Sequence, residues 1–304
     1  MARCSSPGRW SICRRKTRTA TTRAPSSRSP TRSNTASTSA TTLSDRAAPL
    51  SLAQQWRALG KQRALIPYIT AGFPTPDVSL DVLRRVAAAG ADFVEVGVPF
   101  SDPLADGPTI QRTTQAALEK GMTLPRVLDL VRQAALDVPV IIMTYLNPVM
   151  AHGVDRFIRD AQGAGVSGVV LTDLPAGADA GVEQAVTSSA LSLIRLVAPT
   201  TDDERLAAAL KHASGFVYLI SRLGVTGARD TVPPDLAHHV GRIRAITRVP
   251  VAVGFGIGTP AQATAAARHA DGVVVGSALM DALATGGVAA AERLTRDLAA
   301  AVHA

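Results

Sequence analysis

Cysteine is nearly absent from this sequence. The two present, Cys4 and Cys13, lie in the first 44 residues. Residues 45–304 therefore offer no disulfide frame, no thiolate nucleophile and no cysteine metal site. Acidic residues are missing from the opening: residues 1–44 hold nine Lys and Arg and no Asp or Glu. The remainder then carries 23 basic against 24 acidic residues, so the net charge of +8 belongs to the N-terminal segment. Nothing in the near-neutral remainder suggests the basic footprint of a nucleic-acid binder. No apolar run reaches the roughly 18 residues of a membrane span, and the N-terminus lacks the apolar core of a secretory signal. A soluble, reducing, cytoplasmic setting is the expectation.

What residues 1–45 do contain is Ser, Thr and Arg, with almost no large apolar side chains. Such a composition cannot offset the entropy of ordering a core. The expectation is a disordered basic extension. An organelle transit peptide has a similar composition and stays open as an alternative.

From residue 46 to 304 the pattern is that of one catalytic domain. Short apolar, often β-branched runs recur at Ala64–Thr70, Phe93–Val98, Val140–Tyr145, Gly168–Leu171, Leu191–Val197, Phe216–Ile220, Val251–Val253 and Gly272–Val275. Most are continuous and not alternating, which indicates burial on both faces and a parallel sheet. Between them lie Ala-, Leu- and Arg-rich helical stretches such as Asp77–Ala89, Val154–Ala164, Asp202–His212 and Pro260–Ala270, and Leu50–Leu59 leads into the first strand. Eight βα units in about 250 residues predict an α/β fold of the (β/α)8, or TIM, barrel type. A doubly wound open sheet is the alternative, but the first strand is followed by Thr70-Ala-Gly-Phe-Pro74 and not by a dinucleotide-binding glycine fingerprint.

Barrel chemistry takes place where strands end. Lysine is too scarce to serve there: Lys16, Lys61, Lys120 and Lys211 are the only four, and none follows a strand, so no Schiff base is expected. The six histidines show no metal-ligand spacing, and no metal site is expected. Carboxylates remain. The run Glu95-Val-Gly-Val-Pro-Phe-Ser-Asp-Pro-Leu-Ala-Asp-Gly-Pro-Thr-Ile-Gln111 places an acid inside an apolar strand and two more, Asp102 and Asp106, on a Pro-stiffened loop. A buried carboxyl group is costly unless something needs it there. Acids so placed suit proton transfer at a barrel mouth. A buried ion pair of Glu95 with Arg63 or Arg84 is the structural alternative, as is a loop-capping role for Asp106. Asp102 reads as a loop or partner-contact residue. Glycines cluster after three late strands, in Ser221–Gly227, Gly254-Phe-Gly-Ile-Gly258 and Gly276-Ser277. Close backbone approach and a helix N-terminus there would suit a phosphate.

Taken in order, Pro67-Tyr-Ile-Thr-Ala-Gly72, Glu95–Gln111, Met143-Thr-Tyr-Leu-Asn-Pro148, Thr172-Asp-Leu-Pro175, Tyr218-Leu-Ile-Ser-Arg-Leu-Gly-Val-Thr-Gly227, Gly254-Phe-Gly-Ile257 and Gly276-Ser277 resemble the α subunits of tryptophan synthase over residues 50–300. The resemblance implies retro-aldol cleavage of indole-3-glycerol phosphate to indole and glyceraldehyde 3-phosphate. It implies Glu95 as the acid–base group and Asp106 as the partner of the indole N–H. Tyr68, Ile110, Met143, Tyr145, Tyr218, Thr226, Gly227 and Phe255 would contact substrate. Gly227, Gly256, Gly276 and Ser277 would bind its phosphate. No cofactor is implied for this chain, because pyridoxal phosphate would sit on a β subunit receiving the indole in an α2β2 tetramer. A stand-alone lyase of the same chemistry, or a non-catalytic barrel that activates a partner, would share the motifs.

Overall fold

The computed structural model describes residues 51–60, 62–220, 233–254 and 256–304. Eight strands, β1 (Ala64–Thr70), β2 (Val94–Gly97), β3 (Val140–Thr144), β4 (Val166–Leu171), β5 (Ser192–Val197), β6 (Val217–Ile220), β7 (Val251–Gly254) and β8 (Gly272–Val275), pair in parallel and in sequence order. The sheet closes where β8 meets β1, so the predicted barrel is what forms. The extension predicted for residues 1–45 lies outside the described residues.

The strands form where the sequence is apolar on both faces. Every residue of β1, β2, β7 and β8 is buried. One face of the sheet fills the barrel interior with Ala64, Ile66, Phe93, Ile141, Val170, Ile194, Phe216, Tyr218, Ala252 and Val274. The other face packs under the helices through Leu65, Val94, Val96, Val169, Val217 and their neighbours. The helices start on recognisable signals. In α2 (Pro76–Ala88) Thr75 caps the Val78 N–H and Pro76 opens the first turn. In α10 (Pro260–Ala267) Thr259 and Gln262 form a reciprocal capping box. Both devices satisfy helix-end donors that would otherwise lack partners.

The N-terminal end of the barrel is closed by α1 (Leu52–Leu59). Leu52 is fully buried and rests over Gly168, where a β-carbon would come within 2.7 Å of it. Trp56 lies against Phe93 and Phe216, with ring centroids 4.8 and 6.1 Å apart. With that end plugged, the strand C-terminal ends and their loops form the accessible mouth, where barrel chemistry takes place.

Candidate active site

Glu95 sits in β2, in register with Tyr68 on β1 and Ile141 on β3. It is 1% exposed. Neither of its carboxyl oxygens has a hydrogen-bond partner among the described residues. The ion pairs considered for it do not form. Arg63 binds Asp271 at 3.2 Å, and Arg84 donates to the carbonyl oxygens of Ala134 and Gln133. Burial without a counter-charge disfavours the ionised form. It raises the Glu95 pKa to about 8, and the negative charge of Asp106 adds to the rise.

Asp106 stands on the loop after β2. Its N–H donates to the Pro103 carbonyl oxygen at 3.1 Å, and its own carbonyl oxygen accepts from Gln111 Nε2 at 2.8 Å. Burial lifts its carboxyl pKa to about 6, while a hydrogen bond from the Tyr145 hydroxyl pulls the other way. That hydroxyl also accepts the Ala105 N–H at 3.0 Å, and the Tyr145 ring lies 5.0 Å from that of Phe100. Tyr145 therefore fastens the acid loop at two successive residues. It begins α5 (Leu146–His152) as its N-cap and does not end β3, so the predicted strand is one residue too long.

Tyr68, in register with Glu95, and Tyr218, on β6, are both buried. Burial raises both phenol pKa values well above the ordinary range. The charge of Asp106 adds most to the rise at Tyr68, and that of Glu95 most at Tyr218. Glycine makes this placement possible. A β-carbon on Gly97 would stand 2.0 Å from the Tyr68 hydroxyl oxygen, and one on Gly254 would stand 2.4 Å from that of Tyr218. Neither separation is sterically allowed, so β2 and β7 end in glycine where the rings must pass. Sequence reading did not single out Gly97 for this, nor Thr70. The Thr70 hydroxyl donates to Tyr68 Oη at 3.4 Å and shares a 2.8 Å hydrogen bond with Thr113. A glycine closing an otherwise β-branched strand was the available signal.

Ile110, on α3 (Pro108–Glu119), is buried in the same cluster as Tyr68, and Met143 at the end of β3 is partly buried against both cores. Gly276 caps α11 (Ser277–His303) without any side-chain hydrogen bond at that end, leaving Ser277 at the first helical position. A β-carbon on Gly276 would touch the Tyr68 ring at 3.4 Å, and one on Gly258 would stand 3.1 Å from the Ala278 methyl. The glycine turn after β7, in which Gly256 has a φ of 82°, thus meets the first turn of α11, and two of the three predicted anion-binding turns come together. Thr226, Gly227 and Phe255 lie outside the described residues. Among the described residues no cluster of His, Cys, Asp and Glu could hold a metal ion, and no helix is long and apolar enough to cross a membrane.

A family model described as "Tryptophan synthase alpha chain" matches residues 55–303. A tryptophan synthase alpha chain of Gluconacetobacter diazotrophicus is 48% identical over 257 residues, which is 82% of this chain and 94% of the relative. One from Caulobacter sp. is 50% identical over 219 residues, 71% and 80% of the two chains. Among solved structures, a chain of Mycobacterium tuberculosis tryptophan synthase superposes with a TM-score of 0.79 at 40% identity, covering 84% of this chain and 99% of that one. Tryptophan synthase subunit alpha of Legionella pneumophila gives 0.76 at 35% identity, with 83% and 97% covered.

Proposed function

The chain belongs to the tryptophan synthase alpha chain family, and from that premise we propose that Glu95 and Asp106 carry out the cleavage of indole-3-glycerol phosphate to indole and glyceraldehyde 3-phosphate. It is a carbon–carbon lyase of tryptophan synthesis. The observation that carries the assignment is the unpaired, fully buried Glu95, whose pKa of about 8 keeps it protonated at neutral pH.

A protonated Glu95 gives its proton to indole C3, and the ring becomes a cation centred on its nitrogen. The Glu95 carboxylate left behind takes the proton of the adjacent glycerol hydroxyl. The C–C bond then breaks, its electron pair returns to the ring, and the hydroxyl carbon leaves as the aldehyde. Glu95 ends protonated, ready for another turn. Asp106, with a pKa of about 6, is ionised at neutral pH and accepts the indole N–H, which stabilises the cation. Two carboxyl groups driven to different pKa values by their surroundings divide the acid and electrostatic roles.

Tyr68, Ile110, Met143, Tyr145 and Tyr218 enclose the indole ring. The α11 N-terminus at Gly276 and Ser277, which has no side-chain cap, receives the phosphate on backbone N–H groups, with Gly256 on the adjoining turn. Gly227, Thr226 and Phe255 complete the contacts assigned to the substrate. Free indole is apolar and would be lost to solvent, so a β subunit is assigned as its acceptor. We place pyridoxal phosphate on that subunit, expect an α2β2 assembly, and assign the complex to the cytoplasm.

The test is to mix the protein with indole-3-glycerol phosphate, with and without a β subunit, and to follow indole. Indole release by the wild type and its loss by orders of magnitude in Glu95→Gln, with the fold retained, is the expected result. Near-normal turnover by Glu95→Gln would overturn the assignment, and so would unchanged kinetics in Asp106→Asn.

A further inference from the structure

Two helices start at the site from opposite sides. α3 begins two residues after Asp106, and Gln111 in its first turn holds the Asp106 carbonyl oxygen. α11 begins at Ser277, on the turn assigned to the phosphate. One carboxylate joins them. Asp281, on α11, accepts the Thr109 hydroxyl at 3.3 and 3.2 Å on its two oxygens, and Arg112 Nη2 at 2.6 Å. Thr109 is the second residue of α3.

We infer that Asp281 is a positioning residue, whose carboxylate ties the phosphate-binding turn of α11 to the Asp106 loop through Thr109 and Arg112. The inference rests on the functional reading above. A surface ion pair alone contributes little to stability, and the side chains of Asp281 and Arg112 are both more than half exposed. What distinguishes this pair is where it pulls. It converges with a hydroxyl on one carboxylate, and it restrains the first turn of the helix that leads directly out of Asp106. Small errors in the placement of a reacting group cost far more in rate than in stability. The effect of Asp281 therefore belongs in turnover and not in the unfolding midpoint.

Steady-state indole release by Asp281→Asn is the test, with Asp106→Asn and the double variant alongside. The expected result is a kcat lowered about two- to fivefold with KM and thermal midpoint nearly unchanged. In the Asp106→Asn background, the same substitution should have no further effect, because the group it positions is gone. Wild-type kcat in Asp281→Asn overturns the inference, as does a rise in KM alone or an equal loss in both backgrounds. Should Asp281→Asn fail to fold, Thr109→Val carries the same two arms. A wild-type chain that releases no indole overturns the functional reading itself and this inference with it.

Discussion

The proposed chemistry turns on one side chain whose surroundings, more than its identity, set its protonation. Glu95 was legible in the sequence as a charge within an apolar strand. Its isolation was not, because only the fold shows that Arg63 pairs with Asp271 and Arg84 binds carbonyl oxygens from α4 (Leu124–Ala134). Those partners are 208 and 50 residues away in sequence. The isolation has two pH signatures. For turnover, the proposed division of roles needs Asp106 ionised and Glu95 protonated, so kcat/KM should rise through about pH 6 and fall through about pH 8. A profile flat from pH 5 to 9 would contradict the division of roles. For stability, Glu95 in the folded state keeps a proton that the unfolded chain loses above an ordinary pKa near 4.5. Folded protein then binds more protons than unfolded protein between about pH 4.5 and 8, so stability falls with rising pH across that window. Glu95→Gln removes this slope. Chemical denaturation should find the variant more stable than wild type at pH 9 and equal to it near pH 4, and the reverse order would refute the buried, unpaired state.

At the scale of elements, the strands were the most legible feature. Parallel strands covered on both faces leave continuous apolar runs, and the eight runs agree with the eight strands to within two residues at either end. At β4, where they differ most, a local turn is responsible. β4 begins at Val166 because Gly165, at a φ of 87°, ends the preceding turn there. The function of α1 was not legible, since an amphipathic leading helix reads the same whether it lies on a surface or plugs a barrel. Here it carries Leu52 and Trp56 into the end remote from the site. Leu52→Ala should leave a cavity against Gly168 and Gly215 and cost about 2–5 kcal/mol in urea unfolding. The kcat of the protein still folded should not change. A loss of kcat at full folding would mean that the plug communicates with the mouth.

Over the whole chain, charge and chemistry are separated along the sequence. The excess of positive charge sits in residues 1–44, while the site residues run from Tyr68 to Ser277 in a segment where acids and bases nearly balance. The family match begins at residue 55, just inside α1. A neutral barrel suits the proposed reaction, because a phosphate placed at the α11 N-terminus, as proposed, would be met by backbone N–H groups and would need no cluster of lysines. A basic segment would matter to catalysis only by raising local substrate concentration through long-range attraction, and that effect is screened at physiological salt. Removing residues 1–44 should therefore leave kcat and KM for indole release within about twofold of the full chain at physiological ionic strength. The sharper arm is low salt, where screening is relaxed. If KM of the full chain drops below that of the truncated one as salt is removed, the segment steers the anionic substrate. If the truncated chain fails to fold or loses kcat at every salt concentration, the segment is part of the barrel's structure and the charge argument fails.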